Sequence, residues 1–108
     1  AAACRATYGS AVEVMSGVDA AIPGDVLTSA FAGCRYAVIV TPHFDFAKDA
    51  ELTTNMMAAA EAAGVKHVVF IGSWTVAAPD TVIAQRFLPG EAYLRDSSTL
   101  NWTSLRSG

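Results

Sequence analysis

The sequence has no clustered positive charge. Its net charge is −3, with only seven lysines and arginines in 108 residues, and the five arginines are scattered. A surface that neutralises nucleic-acid phosphates needs a basic patch, so nucleic acid is not an expected partner. Cysteine is also scarce. Cys4 and Cys34 are too few and too far apart for a disulfide framework or a zinc site. Both read as small buried or half-buried apolar residues in a reducing cytoplasm. Apolar runs such as Val68 to Ile71 fall far short of the ~20 residues a membrane span requires. No basic segment followed by a long apolar one opens the chain, so no secretory leader is expected. Ala1 rather than Met stands first, and the chain is read as having lost its start.

Several catalytic signatures are missing as well. The eight glycines never form G-x-G-x-x-G or G-x-x-x-x-G-K-[ST], so this stretch lacks the backbone cradle for a pyrophosphate or triphosphate. None of Tyr8, Tyr36 or Tyr93 has a lysine four residues later. A tyrosine acid with its pKa lowered by such a lysine is therefore not available. Gly72-Ser73-Trp74-Thr75-Val76 lacks the second glycine of a nucleophile elbow, which argues against hydrolase chemistry. No H-E-x-x-H or paired Cys/His spacing calls for a metal.

What is present reads as one globular domain. Hydrophobic residues make up 53% and charged residues 16% of the chain, which excludes disorder and suits a single core. Ala11 to Met15 alternates apolar and polar residues like a short strand. Gly17 to Asp25 is a loop, and Asp25 can cap a helix from Val26 to Ala32 that Gly33 ends. Tyr36 to Thr41 is a continuous apolar run, as in strands buried on both faces of a parallel sheet. Pro42 stops it. A helix then opens at Asp45 or Asp49 and runs to about Ala63, with Leu52, Met56, Ala59 and Ala63 as its apolar stripe. Gly64 ends it, and Val65 to Ile71 is a second apolar strand. Gly72 to Asp80 reads as a loop and Thr81 to Phe87 as a short helical turn. Pro89 suits a first helical position, with Glu91 pairing Arg95 one turn on. Trp102 to Arg106 is the last strand. Alternating strands and helices predict an α/β fold with parallel strands joined by right-handed crossovers.

In such a sheet, ligands bind beyond the carboxyl ends of the strands. Here those ends are Thr41-Pro42-His43-Phe44 and Gly72-Ser73-Trp74-Thr75. Both offer small or polar groups with an aromatic nearby, although ordinary turns look much the same. His43 can donate a proton or hold a ribose hydroxyl, yet a solvated loop histidine is the plainer reading. His67, at a strand start, reads as structural. Ser73 suits a hydroxyl that hydrogen-bonds a substrate or cofactor.

Several segments together resemble the NmrA-like branch of the short-chain dehydrogenase/reductases. They are Val12-Glu13-Val14-Met15 with Gly17 and the Asp25 to Cys34 helix, then Tyr36 to Pro42, then Asn55 with Ala58 to Phe70, then Arg86 to Glu91 and Asn101 to Arg106. Each is a weak motif, but their order and spacing hold over nearly the whole chain. The resemblance implies a Rossmann-like three-layer αβα domain with a mostly parallel sheet, binding NADP or NAD and followed by a smaller substrate domain. Members either reduce quinones or other small electrophiles, or sense the state of the cofactor and regulate a partner without turnover. Carried over by position, Thr41 and Pro42 flank the cofactor's ribose and pyrophosphate, with His43 and Phe44 beside them. Ser73 faces the nicotinamide. Asp19 matches the aspartate that contacts adenine, with Val18 interrupting the family's Gly-Asp pair. Arg5 matches the arginine that meets the 2′-phosphate.

On that reading residues 1–108 form a single, partial NAD(P)-binding domain, without the glycine-rich first βα unit. Helix N-terminal anion contacts contribute about 0.3–1 kcal/mol each, so weak cofactor binding is expected of this chain alone. In the order 3-2-1-4-5-6 the third strand reaches the fourth only through strands two and one. If Val12 to Met15 is that third strand, it must stay loose, pair with the exposed edge of Tyr36 to Thr41, or pair with another chain. Self-association through exposed sheet edges, or low stability, is the expected consequence. An inactive fragment is the remaining alternative.

Overall fold

The computed structural model describes residues 6–42, 45 and 47–108. Three strands form its sheet in the order β1-β2-β3: β1 is Tyr36–Val40, β2 His67–Ser73 and β3 Asn101–Ser107. All pairings are parallel, with Tyr36 opposite His67 and His67 opposite Asn101. Helix α1 is Asp25–Ala30, α2 Asp49–Ala62 and α3 Val82–Asp96, so α2 joins β1 to β2 and α3 joins β2 to β3. Right-handed crossovers between neighbouring parallel strands put both helices on the same side. Accordingly α2 packs on α3, while α2 meets β1 and α3 meets β2.

Side-chain alternation along each strand decides what these helices cover. Ile39, Val68 and Phe70 face them and are buried with Met57 and Ala60 of α2 and Leu94 of α3. The Phe70 and Phe87 rings meet with centroids 6.5 Å apart and planes tilted by 49°. Of the expected apolar stripe of α2, Ala59 is buried, but Leu52, Met56 and Ala63 are only half-buried, and Met57 and Ala60 are buried instead. Polar Thr53 and Asp49 extend the same buried face, which is why an apolar-only pattern misplaced it.

Helix ends follow local chemistry. Gly64, at φ +87, lets α2 end in a Schellman turn, with the Val65 N–H on the Ala60 carbonyl (3.0 Å) and the Gly64 N–H on that of Glu61 (3.1 Å). Thr81 Oγ1 caps α3 by accepting from the Ala84 N–H at 3.2 Å. Asp25 is not a cap: it is the first residue of α1, and Gly24 occupies the cap position with no side-chain bond.

Three expectations need correction. Ala11 to Met15 forms no strand; Gly9–Ala11 is a 3-10 turn, and residues 13–16 carry no regular structure. Val12 and Met15 stay exposed, too little apolar surface to hold a lone strand against an edge. Secondly, Val82–Asp96 form one helix with Pro89 inside it, not a turn followed by a helix starting at Pro89. Glu91 accordingly reaches across to Arg106 rather than hydrogen-bonding Arg95. Thirdly, Cys34 is exposed rather than buried, and Cys4 lies outside the described residues. Only one face of the sheet carries helices; on the other, Tyr36, Val38 and Val40 stand 69%, 67% and 54% exposed. The second helical layer of a three-layer arrangement is absent among the described residues. No helix among them is long and apolar enough to cross a membrane.

Candidate functional site

Beyond the carboxyl ends of the strands lies a cavity of about 280 Å³. Val40 of β1, Ile71 to Ser73 of β2 and Ser107 of β3 form one wall, and Ile83, Arg86 and Phe87 of α3 form the other. Helical spacing explains the second set, since positions 83, 86 and 87 share one face. The walls mix apolar side chains with polar groups: Arg86 and two hydroxyls from the strand ends.

Ser73 ends β2 and begins the 3-10 turn Trp74–Ala77. Its Oγ accepts from the Thr75 N–H (3.2 Å) and from the Thr75 hydroxyl (2.9 Å). With both lone pairs so engaged, the Ser73 hydroxyl has its own proton left to donate. A carbonyl oxygen in the cavity is the matching acceptor. Ser107 donates its hydroxyl to the Gly72 carbonyl at 3.0 Å, which ties β3 to the same rim.

Behind the cavity runs a buried polar chain. The Thr53 hydroxyl lies 3.0 Å from the Thr41 hydroxyl and 3.0 Å from the Asp49 carbonyl oxygen. Asp49, wholly buried at the start of α2, places Oδ2 2.9 Å from Nε of Arg86. Its Oδ1 accepts from the Asp45 N–H at 3.1 Å. Deeper, Glu91 of α3 accepts from Arg106 Nη2 (2.7 Å), Arg106 Nε (3.1 Å) and the Ser104 hydroxyl (3.1 Å). The Arg106 hydrogen bond is the main reason the Glu91 carboxyl sits below its usual pKa, against the opposing effect of burial.

The residues singled out from sequence are thus divided. Ser73 lines the cavity. Thr41 lies at the end of β1, but its side chain is buried toward α2 and its hydroxyl meets Thr53. Pro42 is half-buried beside it. Asp19 lines a separate depression of about 110 Å³ with Gly17, Ile22 and Val26. Its carboxylate accepts from the Ala21 N–H at 2.9 Å, and the Asn55 amide holds this turn to α2 through the Ala20 carbonyl at 2.9 Å. Arg5, His43 and Phe44 lie outside the described residues. His67 opens β2, with Nε2 3.0 Å from Thr103 Oγ1. Arg86, Ile83 and Phe87 went unnoticed in the sequence; the signal was a charged residue interrupting an otherwise apolar helical face.

A parallel sheet with helical crossovers and a crevice at its carboxyl edge defines a Rossmann-type nucleotide-binding protein. The chain belongs to the NAD(P)H-binding family, whose model matches residues 8–108. Among solved structures it is similar to a Citrobacter sp. triphenylmethane reductase complexed with NADP(H), at 30% identity and a TM-score of 0.80 over 94% of this chain and 35% of that one. Another structure of a Citrobacter sp. triphenylmethane reductase, described for the bioremediation of triphenylmethane dyes, matches at 29% identity and a TM-score of 0.82. That match covers 98% of this chain and 37% of the other. The chain therefore spans little more than a third of these enzymes' length. No curated protein matches its sequence.

Proposed function

We propose that this chain is the nicotinamide-side part of an NAD(P)H-dependent reductase of the NmrA-like branch, acting on a small electrophile such as a quinone. The observation that carries this reading is the crevice at the strand ends, where Val40, Ile71, Ile83 and Phe87 stand beside the Ser73 hydroxyl, left free to donate. A bound reduced nicotinamide supplies a hydride donor. Ser73 fits it by donating to a carbonyl oxygen, either of the carboxamide or of the acceptor molecule. Val40, Ile71, Ile83 and Phe87 offer apolar contact to the rings, Phe87 from the buried side and Val40 and Ile83 from the open rim. Asp19 and its separate depression suit the adenine end, and Thr41 and Pro42 support the stretch between. Arg5, His43 and Phe44 keep the cofactor roles that the resemblance implies for them. A cytoplasmic setting suits the cofactor, and self-association through the exposed β1 edge is part of the same reading.

A second reading is favoured by one observation. Among the described residues, the crevice wall carries no tyrosine, histidine or lysine to deliver a proton near pH 7. A cofactor-sensing module without turnover has no need of one.

Titrating NADPH into the isotope-labelled chain and following amide resonances tests both. Shifts at Ile71 to Ser73, Ile83 to Phe87 and Ser107 are expected, with a dissociation constant on the order of millimolar, about −4 kcal/mol. Ser73→Ala should weaken binding by about fivefold, the worth of one hydrogen bond. No shift at those amides up to about 10 mM NADPH, weaker than the expected constant by an order of magnitude, would end the proposal.

A further inference from the structure

The Asp49–Arg86 pair has no place in the chemistry above, yet it stands directly behind the crevice wall. We propose that it is a positioning device: it fixes the crevice face of α3 against the end of β1, and so sets the geometry of the cofactor site. This inference rests on the crevice being the nicotinamide site.

Three observations converge on it. Arg86 lines the crevice between Ile83 and Phe87, so any shift of its side chain or of the α3 turn that carries it moves the wall. Asp49 is 0% exposed and Arg86 9%, so the pair is shielded from water and acts at close range. The pair also joins a continuous polar chain. Through Thr53 it reaches Thr41 at the end of β1, and through Asp49 Oδ1 it holds the Asp45 N–H. Asp45 in turn accepts from the Lys48 and Asp49 N–H groups at 2.9 and 2.8 Å, which closes the turn into α2. Hydrogen bonds therefore tie the strand end to the helix start, and the crevice wall joins them through the close Asp49–Arg86 ion pair.

General energetics separates this role from plain stabilisation. Replacing a buried ion pair with apolar side chains of similar volume is often neutral or stabilising, whereas removing one partner is costly because a buried charge is left uncompensated. Apolar contacts are non-directional, so they can keep the helices together without fixing the wall. A shift of about 1 Å in a binding constellation has large consequences.

The experiment compares the chain with the double variant Asp49→Leu/Arg86→Met, and with Arg86→Lys, which keeps the charge and loses the planar fork. Thermal melts report the fold, and NADPH titrations followed at the Ser73 and Phe87 amides report the site. The double variant should melt within a few degrees of the parent yet bind NADPH about tenfold more weakly, with Arg86→Lys in between. Parent-like affinity in the double variant overturns the inference and leaves the cofactor reading standing. Failure of the double variant to fold also overturns it, since the pair would then be needed for the fold itself. Absence of NADPH binding by the parent refutes the cofactor reading, and this inference with it.

Discussion

Gly90 is a point of close approach between α3 and the core. A Cβ added there would lie 2.9 Å from Cζ of the buried Phe70 ring and 3.1 Å from Cγ2 of Thr53. Alanine is the better helix former by about 1 kcal/mol, but overpacking a filled core costs about 1–3 kcal/mol. Neither Phe70 nor Thr53 has room to retreat, so the clash wins. Gly90→Ala is expected to destabilise the chain by about 1–2 kcal/mol, as read by urea unfolding; an unchanged or raised midpoint would contradict this packing. At this scale Ser73 was legible in the sequence because strand ends can be located from the apolar run before them. Arg86 was not, because a charge within an apolar face looks the same whether it is buried or solvated. Only the partner, Asp49, 37 residues earlier in the chain, distinguishes the two.

Among elements, the lower end of α3 is latched to α2 by one carboxylate. Glu61 accepts from the Tyr93 hydroxyl (2.8 Å), the Thr99 hydroxyl (2.6 Å) and the Ser97 hydroxyl. These bonds, that of Ser97 foremost, hold the Glu61 carboxyl below its ordinary pKa. Folding therefore binds this proton less tightly than the unfolded chain does. The latch is in full force above the ordinary carboxylate range and is lost as pH falls through the lowered folded value. Tyr93 shows the opposite case: burial first, then Glu61, pushes it up to about 12. Its contribution is complete below pH ~10, the ordinary tyrosine value, and fades as pH rises through the folded value. Urea unfolding at pH 7 and pH 4 should show a loss on acidification that Glu61→Gln reduces; an equal loss in the variant would remove Glu61 from the account.

Pro89 explains why α3 was the least legible element. Proline usually marks a helix boundary because it lacks an N–H and crowds the preceding turn. In α3 the burial of Phe87, Gly90, Glu91 and Leu94 holds the helix together across it. Pro89→Ala is expected to raise stability by about 1–3 kcal/mol, and a lower melting temperature would count against that. The strands β1, β2 and β3 were readable to within two residues; β1 and β2 because their Val/Ile-rich runs suit few other structures. The Ala11 to Met15 stretch is as long as β1 and alternates apolar and polar residues, but Val12 and Met15 stay exposed and it joins no strand among the described residues.

At the scale of the whole molecule, the decisive feature is a sheet that, among the described residues, carries helices on one side only. Parallel sheets are ordinarily covered on both faces, yet Tyr36, Val38 and Val40 form an apolar row on the open one. Concentration-dependent association is the expected outcome, and sedimentation analysis can follow it. Val38→Lys should shift the population toward monomer; unchanged sedimentation would show that this face takes no part. Alternation of elements made the fold class readable, but coverage of a face depends on which helices exist to cover it, and that is not encoded in any one strand.

The simple order of the strands has a kinetic corollary. Among the described residues β2 is the only strand hydrogen-bonded on both edges, so neither neighbour can detach without leaving it protected by the other. Fluctuations that open the sheet should therefore start at β1 or β3 and reach β2 last. In deuterated water, the amides of Val68, Val69 and Phe70 should be the slowest in the chain to exchange, disappearing only when the entire structure unravels.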